Sequence, residues 1–98
     1  MSAVLISMVG FTQTDIAIAR SQGIGATVTI TGIVTNGDEL GLIRYLEDAT
    51  AGLALYDPST LVGVVRGDEV TVTGVLVDYN GLLEMTPVNS SITNTTGN

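Results

Sequence analysis

The chain contains no cysteine, histidine, lysine or tryptophan, and only two prolines. Without cysteine there is no disulfide framework, and no thiolate to bind a metal or attack a substrate. Without histidine no side chain titrates by nature near neutral pH, so carboxylates, hydroxyls and three arginines are the whole of its side-chain chemistry. That inventory is poor for catalysis and predicts a protein that is not an enzyme. Positive charge is scarce as well: Arg20, Arg44 and Arg66 face ten acidic residues, for a formal net charge of -7. Polyanions are held mainly by lysine and arginine displacing counterions from phosphates, so the composition argues against strong nonspecific binding of this segment alone to nucleic acid or to an anionic membrane. The apolar run at residues 1–11 is too short to cross a bilayer, and it lacks the basic start and cleavage pattern of a signal peptide. It reads as an extra edge strand or the tail of a preceding element, available for self-association and not for membrane insertion.

What the chain does have is strand pattern. In residues 26–36, ATVTITGIVTN, Val28, Ile30 and Val34 fall on one face, Thr29, Thr31 and Thr35 on the other, and Gly32 sits in mid-run. Residues 69–78, EVTVTGVLVD, repeat the arrangement with Val70, Val72 and Leu76 inward, Thr71 and Thr73 outward, and Gly74 at the matching place. Glycine inside a β-branched strand marks a bend, a bulge or a close backbone approach, and a small closed barrel needs these at its corners. A chain of 98 residues forms one domain and buries roughly 60–65% of its unfolded surface, enough for a single core without disulfides.

Ahead of the first strand, residues 14–23 predict a short helix, with Asp15 capping it, Ile16, Ala17 and Ala19 on its apolar side, and Gly23 ending it. After it, residues 36–41 form a loop, residues 42–48 a second strand and residues 52–57 a third, joined by the tight connection at 49–52. If Leu46, Leu53 and Leu55 point inward, parity sends Tyr45, Ala54 and Tyr56 outward. Asp57-Pro58-Ser59 is a helix-start signal, with Leu61, Val64 and Val65 able to form a buried side and Gly67 to end the turn. The fourth strand returns through Tyr79-Asn80-Gly81-Leu82, where Asn-Gly is the preferred pair for a two-residue hairpin. A fifth strand follows from residue 82 to about 88, and the polar remainder, NSSITNTTGN, reads as a flexible tail. The chain thus divides into an N-terminal extension at 1–25, a barrel at 26–88 and a tail at 89–98.

Several apparent motifs have plainer explanations. Arg66-Gly67-Asp68 spells an integrin-recognition tripeptide, but it lies where a turn ends in glycine and a strand begins. Asn89-Ser90-Ser91 and Asn94-Thr95-Thr96 fit the glycosylation acceptor pattern, which arises readily in a tail of this composition. Asn36, Asp38 and Glu39 offer oxygen ligands, yet they lack the longer spaced carboxylate set of a calcium loop, and a solvated turn accounts for them. No phosphate-binding loop or serine–histidine pair is present, and no metal or cofactor is expected.

Three strands, a helix and two strands, with a long glycine-bent first strand, resemble the oligonucleotide/oligosaccharide-binding (OB) fold, a five-stranded Greek-key barrel. Within it the chain is similar to small bacterial modules attached to secreted or surface proteins, including nucleases. VTITGIVTN, RYLEDATAGLALYDP, GDEVTVTGVL and YNGLLEM carry the likeness. It implies an all-β barrel whose ligand face is the outside of strands two and three with the loops that flank them. Carried onto this chain, that face takes in Arg44, Tyr45 and Tyr56, with Asn36 and Asp38 in one loop and Tyr79 and Asn80 in the other. The implied role is a non-catalytic module that binds single-stranded nucleic acid weakly as part of a larger, secreted or surface protein. With no lysine and acidic loops, a neutral oligosaccharide, a protein partner or a neighbouring domain fits as well. Tyr45 and Tyr56 likewise keep two readings, a stacking platform or a cross-strand aromatic pair that stabilises the sheet.

Overall fold

The computed structural model describes residues 14–37, 41–56 and 63–94. A helix, α1 (Ile16–Arg20), precedes five strands: β1 (Thr27–Val34), β2 (Ile43–Glu47), β3 (Gly52–Tyr56), β4 (Glu69–Tyr79) and β5 (Leu82–Asn94). They close into a barrel in the order β1-β2-β3-β5-β4. Every pairing is antiparallel except β3 with β5, which is parallel.

The period-two alternation produces the core. Val28, Ile30 and Val34 of β1, Leu46 of β2, Leu53 and Leu55 of β3, Val70, Val72 and Leu76 of β4 and Met85 of β5 all point inward and are buried. Burying each such side chain fully contributes about 1.5–3 kcal/mol. The threonines between them face outward and pair across strands: Thr29 with Thr73 and Thr31 with Thr71, each with hydroxyl oxygens 2.7 Å apart. Such pairs tie β1 to β4 on the solvent side.

The two mid-strand glycines are places where backbones touch. At Gly32, β1 passes from pairing with β4 to pairing with β2, since Ile33 is opposite both Glu69 and Glu47. A Cβ there would stand 2.6 Å from the Glu47 carbonyl oxygen. At Gly74 the β4–β5 register shifts, and a Cβ would meet the Thr86 carbonyl oxygen at 2.5 Å. No side chain fits either position, which is the close approach a narrow barrel requires. The hairpin after β4 is as expected from Asn-Gly: Asn80 has φ 52° and Gly81 φ 90°, the pair of positive angles a type I′ turn needs.

Three features differ from the sequence reading. First, β5 does not stop near Val88 but continues to Asn94. The first half of β4 needs a partner on the side away from β1, and Asn89, Ser91, Ile92 and Asn94 supply it opposite Thr73, Thr71, Val70 and Glu69; a mostly polar strand has no apolar rhythm to announce it. Second, α1 is not capped by Asp15, whose side chain makes no cap hydrogen bond. The Ile16 N–H donates instead to Asp48 Oδ2 at 2.9 Å and the Ala17 N–H to Thr50 Oγ1 at 3.1 Å, both from the β2–β3 turn. Arg20 Nη1 adds a bond to the Gly52 carbonyl at 3.0 Å. Third, Ala17 is exposed, and only Ile16 and Ala19 seal the core from the helix. The helix start at Asp57-Pro58-Ser59 and the apolar segment 1–11 lie outside the described residues. Arg66-Gly67-Asp68 is built into the barrel: Gly67 N–H bonds Val34 O, and buried Asp68 accepts from the Val65 N–H through Oδ2 at 2.9 Å.

Asp48 also organises its own turn, accepting at Oδ1 from the Thr50 N–H, the Thr50 hydroxyl and the Ala51 N–H. Burial alone would raise its carboxyl, but the hydrogen bonds from the Thr50 hydroxyl and from the N–H groups of Ile16, Thr50 and Ala51 outweigh it. They lower the pKa from 3.8 to about 2. Because the folded value is depressed, the stability this carboxylate contributes is complete above pH 3.8 and fades as pH falls to about 2.

Two outcomes test these points. Gly32→Ala and Gly74→Ala are each expected to lower unfolding stability by about 1–3 kcal/mol in urea titrations. Gly52→Ala, whose added methyl would meet only ordinary contacts starting at 3.4 Å, should change it by less than about 0.5 kcal/mol. Asp48→Asn should cost about 1 kcal/mol near neutral pH, and melts recorded at falling pH should show that gap closing between pH 3.8 and about 2.

Candidate functional site

The residues of β2, β3, β5 and β4 that alternate outward bring one side chain each to a cleft on the barrel's outer face. Inward Leu46, Leu55 and Met85 fix the parity, so their neighbours Tyr45, Tyr56 and Glu84 face out. The cleft has a volume of about 220 Å³ and is lined, among the described residues, by Ile43, Tyr56, Tyr79 and Glu84. Tyr56 lies opposite Ile43 across β2–β3, while Glu84 sits beside Ala54 on one side and Val77 on the other. Tyr79, the last residue of β4, reaches it from the foot of the Asn80-Gly81 hairpin. Tyr56 and Tyr79 are 46% and 60% exposed, so both offer ring surface to solvent.

Glu84 is buried on this face, with only 4% of its surface exposed, as is its neighbour Ala54 at 3%, which parity sends outward. Among the described residues nothing hydrogen-bonds or pairs with its carboxylate. A buried polar group without a partner is costly and uncommon, and such a group in a cleft is a natural point of ligand attachment.

The residues expected from the sequence separate into those that reach the cleft and those that hold the barrel. Tyr56 and Tyr79 meet in it. Tyr45 shares the face but stands opposite Ala54, diagonal to Tyr56 and outside the cleft lining, so the two tyrosines are not directly opposed across the strands. Asn80 is exposed at the hairpin tip beside it. Asn36 is 5% exposed and fully engaged: Nδ2 donates to Ile43 O at 2.9 Å and Gly37 O at 3.0 Å, and Oδ1 accepts from Tyr45 N–H at 2.7 Å. Its amide thus prolongs the β1–β2 ladder beyond the end of β1. Arg44 is opposite inward Leu55 and spends its guanidinium on the carbonyls of Gly41, Ile43 and Val64, the closest at 2.9 Å. Asp38 lies outside the described residues. Ile43 and Glu84 also line the cleft and were not among the residues expected from the sequence. A glutamate at an outward strand position reads as solvated, and the parallel pairing that sets it beside Ala54 of β3 leaves no local pattern.

No group of histidine, cysteine or acidic residues capable of holding a metal ion occurs among the described residues, and no helix among them is long and apolar enough to cross a membrane.

No family model matches the chain. A segment of Endonuclease YhcR of Bacillus subtilis (strain 168) is 34% identical to it over 87 residues, which is 82% of this chain but 7% of that protein. Among solved structures, a putative aspartyl-tRNA synthetase from Leishmania major Friedlin superposes with a TM-score of 0.69 at 11% identity, over 92% of this chain and 22% of that one. OBody AM3L09, bound to hen egg-white lysozyme, also gives 0.69, at 18% identity, over 91% of this chain and all of that one. The structural likenesses, at 11% and 18% identity, show the fold alone. The chain belongs to the OB fold.

Proposed function

We propose that this chain is a non-catalytic binding module that holds single-stranded nucleic acid weakly, as one part of a larger protein. The observation that carries this reading is the cleft in which Tyr56 and Tyr79 present exposed rings around a polar group, at the foot of the β4–β5 hairpin. Aromatic rings on an OB barrel stack unpaired bases, each stack being worth about 1–3 kcal/mol. The likeness to a segment of an endonuclease supports a nucleic-acid setting.

Electrostatics set the strength. The net charge is -7, and two of the three arginines, Arg20 and Arg44, already bond backbone carbonyls. Affinity therefore comes from stacking and base contacts rather than from phosphate neutralisation. Binding should be weak and nearly indifferent to salt.

A docking role is the second reading, favoured by the OBody that resembles this barrel while bound to lysozyme. An acidic face with exposed tyrosines suits a folded partner or a neighbouring domain too. A neutral oligosaccharide stacked on the same rings belongs to this alternative.

Fluorescence anisotropy with labelled mixed-sequence strands of about 12 nucleotides separates the readings. The expected outcome is saturable binding at low salt, weakened at least about fivefold by Tyr56→Ala or Tyr79→Ala and much less by Tyr45→Ala. The slope of log K against log salt should be close to zero, against about -0.9 for each phosphate neutralised on a duplex. Silence at high micromolar protein overturns the nucleic-acid reading. If glycan screens are silent as well and Tyr56→Ala changes only association with a protein, the docking role replaces it.

A further inference from the structure

We propose that the cleft selects guanine, through a two-point hydrogen bond from the base to the Glu84 carboxylate. The inference rests on the nucleic-acid reading and adds to it the identity of the base.

Glu84 lines the cleft together with Ile43, Tyr56 and Tyr79, and is 4% exposed and without a partner among the described residues. A carboxylate offers two acceptor oxygens and no donor. Unpaired bases are read on their Watson–Crick edges while they stack on aromatic side chains. Of the four common bases only guanine carries two adjacent donors on that edge, N1–H and the 2-amino group. Adenine and cytosine each place their amino group beside a ring nitrogen acceptor, and that lone pair would face the second carboxylate oxygen. Thymine and uracil place one N–H between two carbonyls. Guanine alone therefore satisfies both oxygens of Glu84 without bringing an acceptor against it.

The surroundings strengthen the match. The about 220 Å³ of the cleft give room for one purine ring system, with Tyr56 and Tyr79 available to its faces and Ile43 to its rim. Glu84 itself is 4% exposed, so a wrong base that blocks the cleft leaves its carboxylate without a hydrogen bond, and that is the source of discrimination. The base itself is neutral, so it enters an acidic protein without the repulsion a bare phosphate meets.

The test uses thymidylate strands of about 12 nucleotides carrying one central guanine, hypoxanthine, adenine, cytosine or thymine, titrated against the intact chain. Guanine is expected to bind at least about tenfold more tightly than thymine, adenine or cytosine, since a bidentate side-chain contact discriminates on this scale. Hypoxanthine keeps N1–H but lacks the 2-amino group, so it should lose most of that preference. Glu84→Gln, nearly identical in shape, should abolish the guanine preference and leave the all-thymine strand unchanged, with an unaltered melting temperature as the folding control. The base series on the unmodified chain needs no variant and decides the matter by itself. Equal binding of all five strands overturns the guanine assignment while the nucleic-acid reading stands. No binding of any strand overturns that reading and the assignment with it. A preference for a lysine-rich peptide over every strand would put a cation on Glu84 and overturn the base assignment.

Discussion

Everything in this barrel depends on two backbone contacts that leave no room for a side chain. Closing only five strands on themselves makes the long strands β1 and β4 coil sharply, and each does so at a glycine: Gly32 presses on the carbonyl of Glu47 and Gly74 on that of Thr86. Because β1 can bend, it serves β4 along most of its length and β2 at its end. Because β4 can bend, β5 follows it through a register shift and still reaches β3 with its first residues. That last meeting, at Ala54 with Glu84 and Leu55 with Met85, closes the barrel and buries Glu84. The burial of Glu84 on the outer face is thus a by-product of the way the core was closed.

Much of this is legible in the sequence because strand parity is a strict rule. Val28, Ile30, Val70, Val72 and Leu76 declare their inward faces, the two glycines declare the bends, and Asn80-Gly81 declares its turn. What escapes is whatever depends on a partner distant in the chain. The cap of α1 is Asp48, 32 residues from the Ile16 N–H it accepts, so Asp15, locally well placed, was the natural and mistaken choice. The far half of β5 is mostly polar and owes its strand to β4 rather than to its own composition. The OB resemblance set Asn36 and Arg44 on or beside the ligand face, while the barrel engages both with its own carbonyls and amides. The cleft was half visible. Tyr56 and Tyr79 belonged to the family's ligand face, but no local pattern distinguishes an outward glutamate in water from one buried beside a parallel neighbour.

The acidic character acquires a structural reading as well. Asp48 and Asp68 are structural acceptors: Asp48 ties the β2–β3 turn to α1, and Asp68 binds the amide of Val65. Their carboxylates satisfy backbone groups and so serve the fold rather than a ligand. Glu84, buried in the cleft lining, performs no such service among the described residues, and this sets it apart from Asp48 and Asp68.

The attachment of α1 to the β2–β3 turn has a consequence for the order of events in folding. A five-residue helix is too short to hold itself together in water, and its first amides are bonded by Asp48 and Thr50, which reach their places only when the hairpin has closed. The connections at 48–51 and at Asn80-Gly81 each span a few residues and lose little chain entropy on closing, whereas joining β1 to β4 closes a loop of about forty. The helix α1, although it precedes every strand in the chain, is therefore among the last elements to become permanent: it waits for an anchor that lies later in the chain.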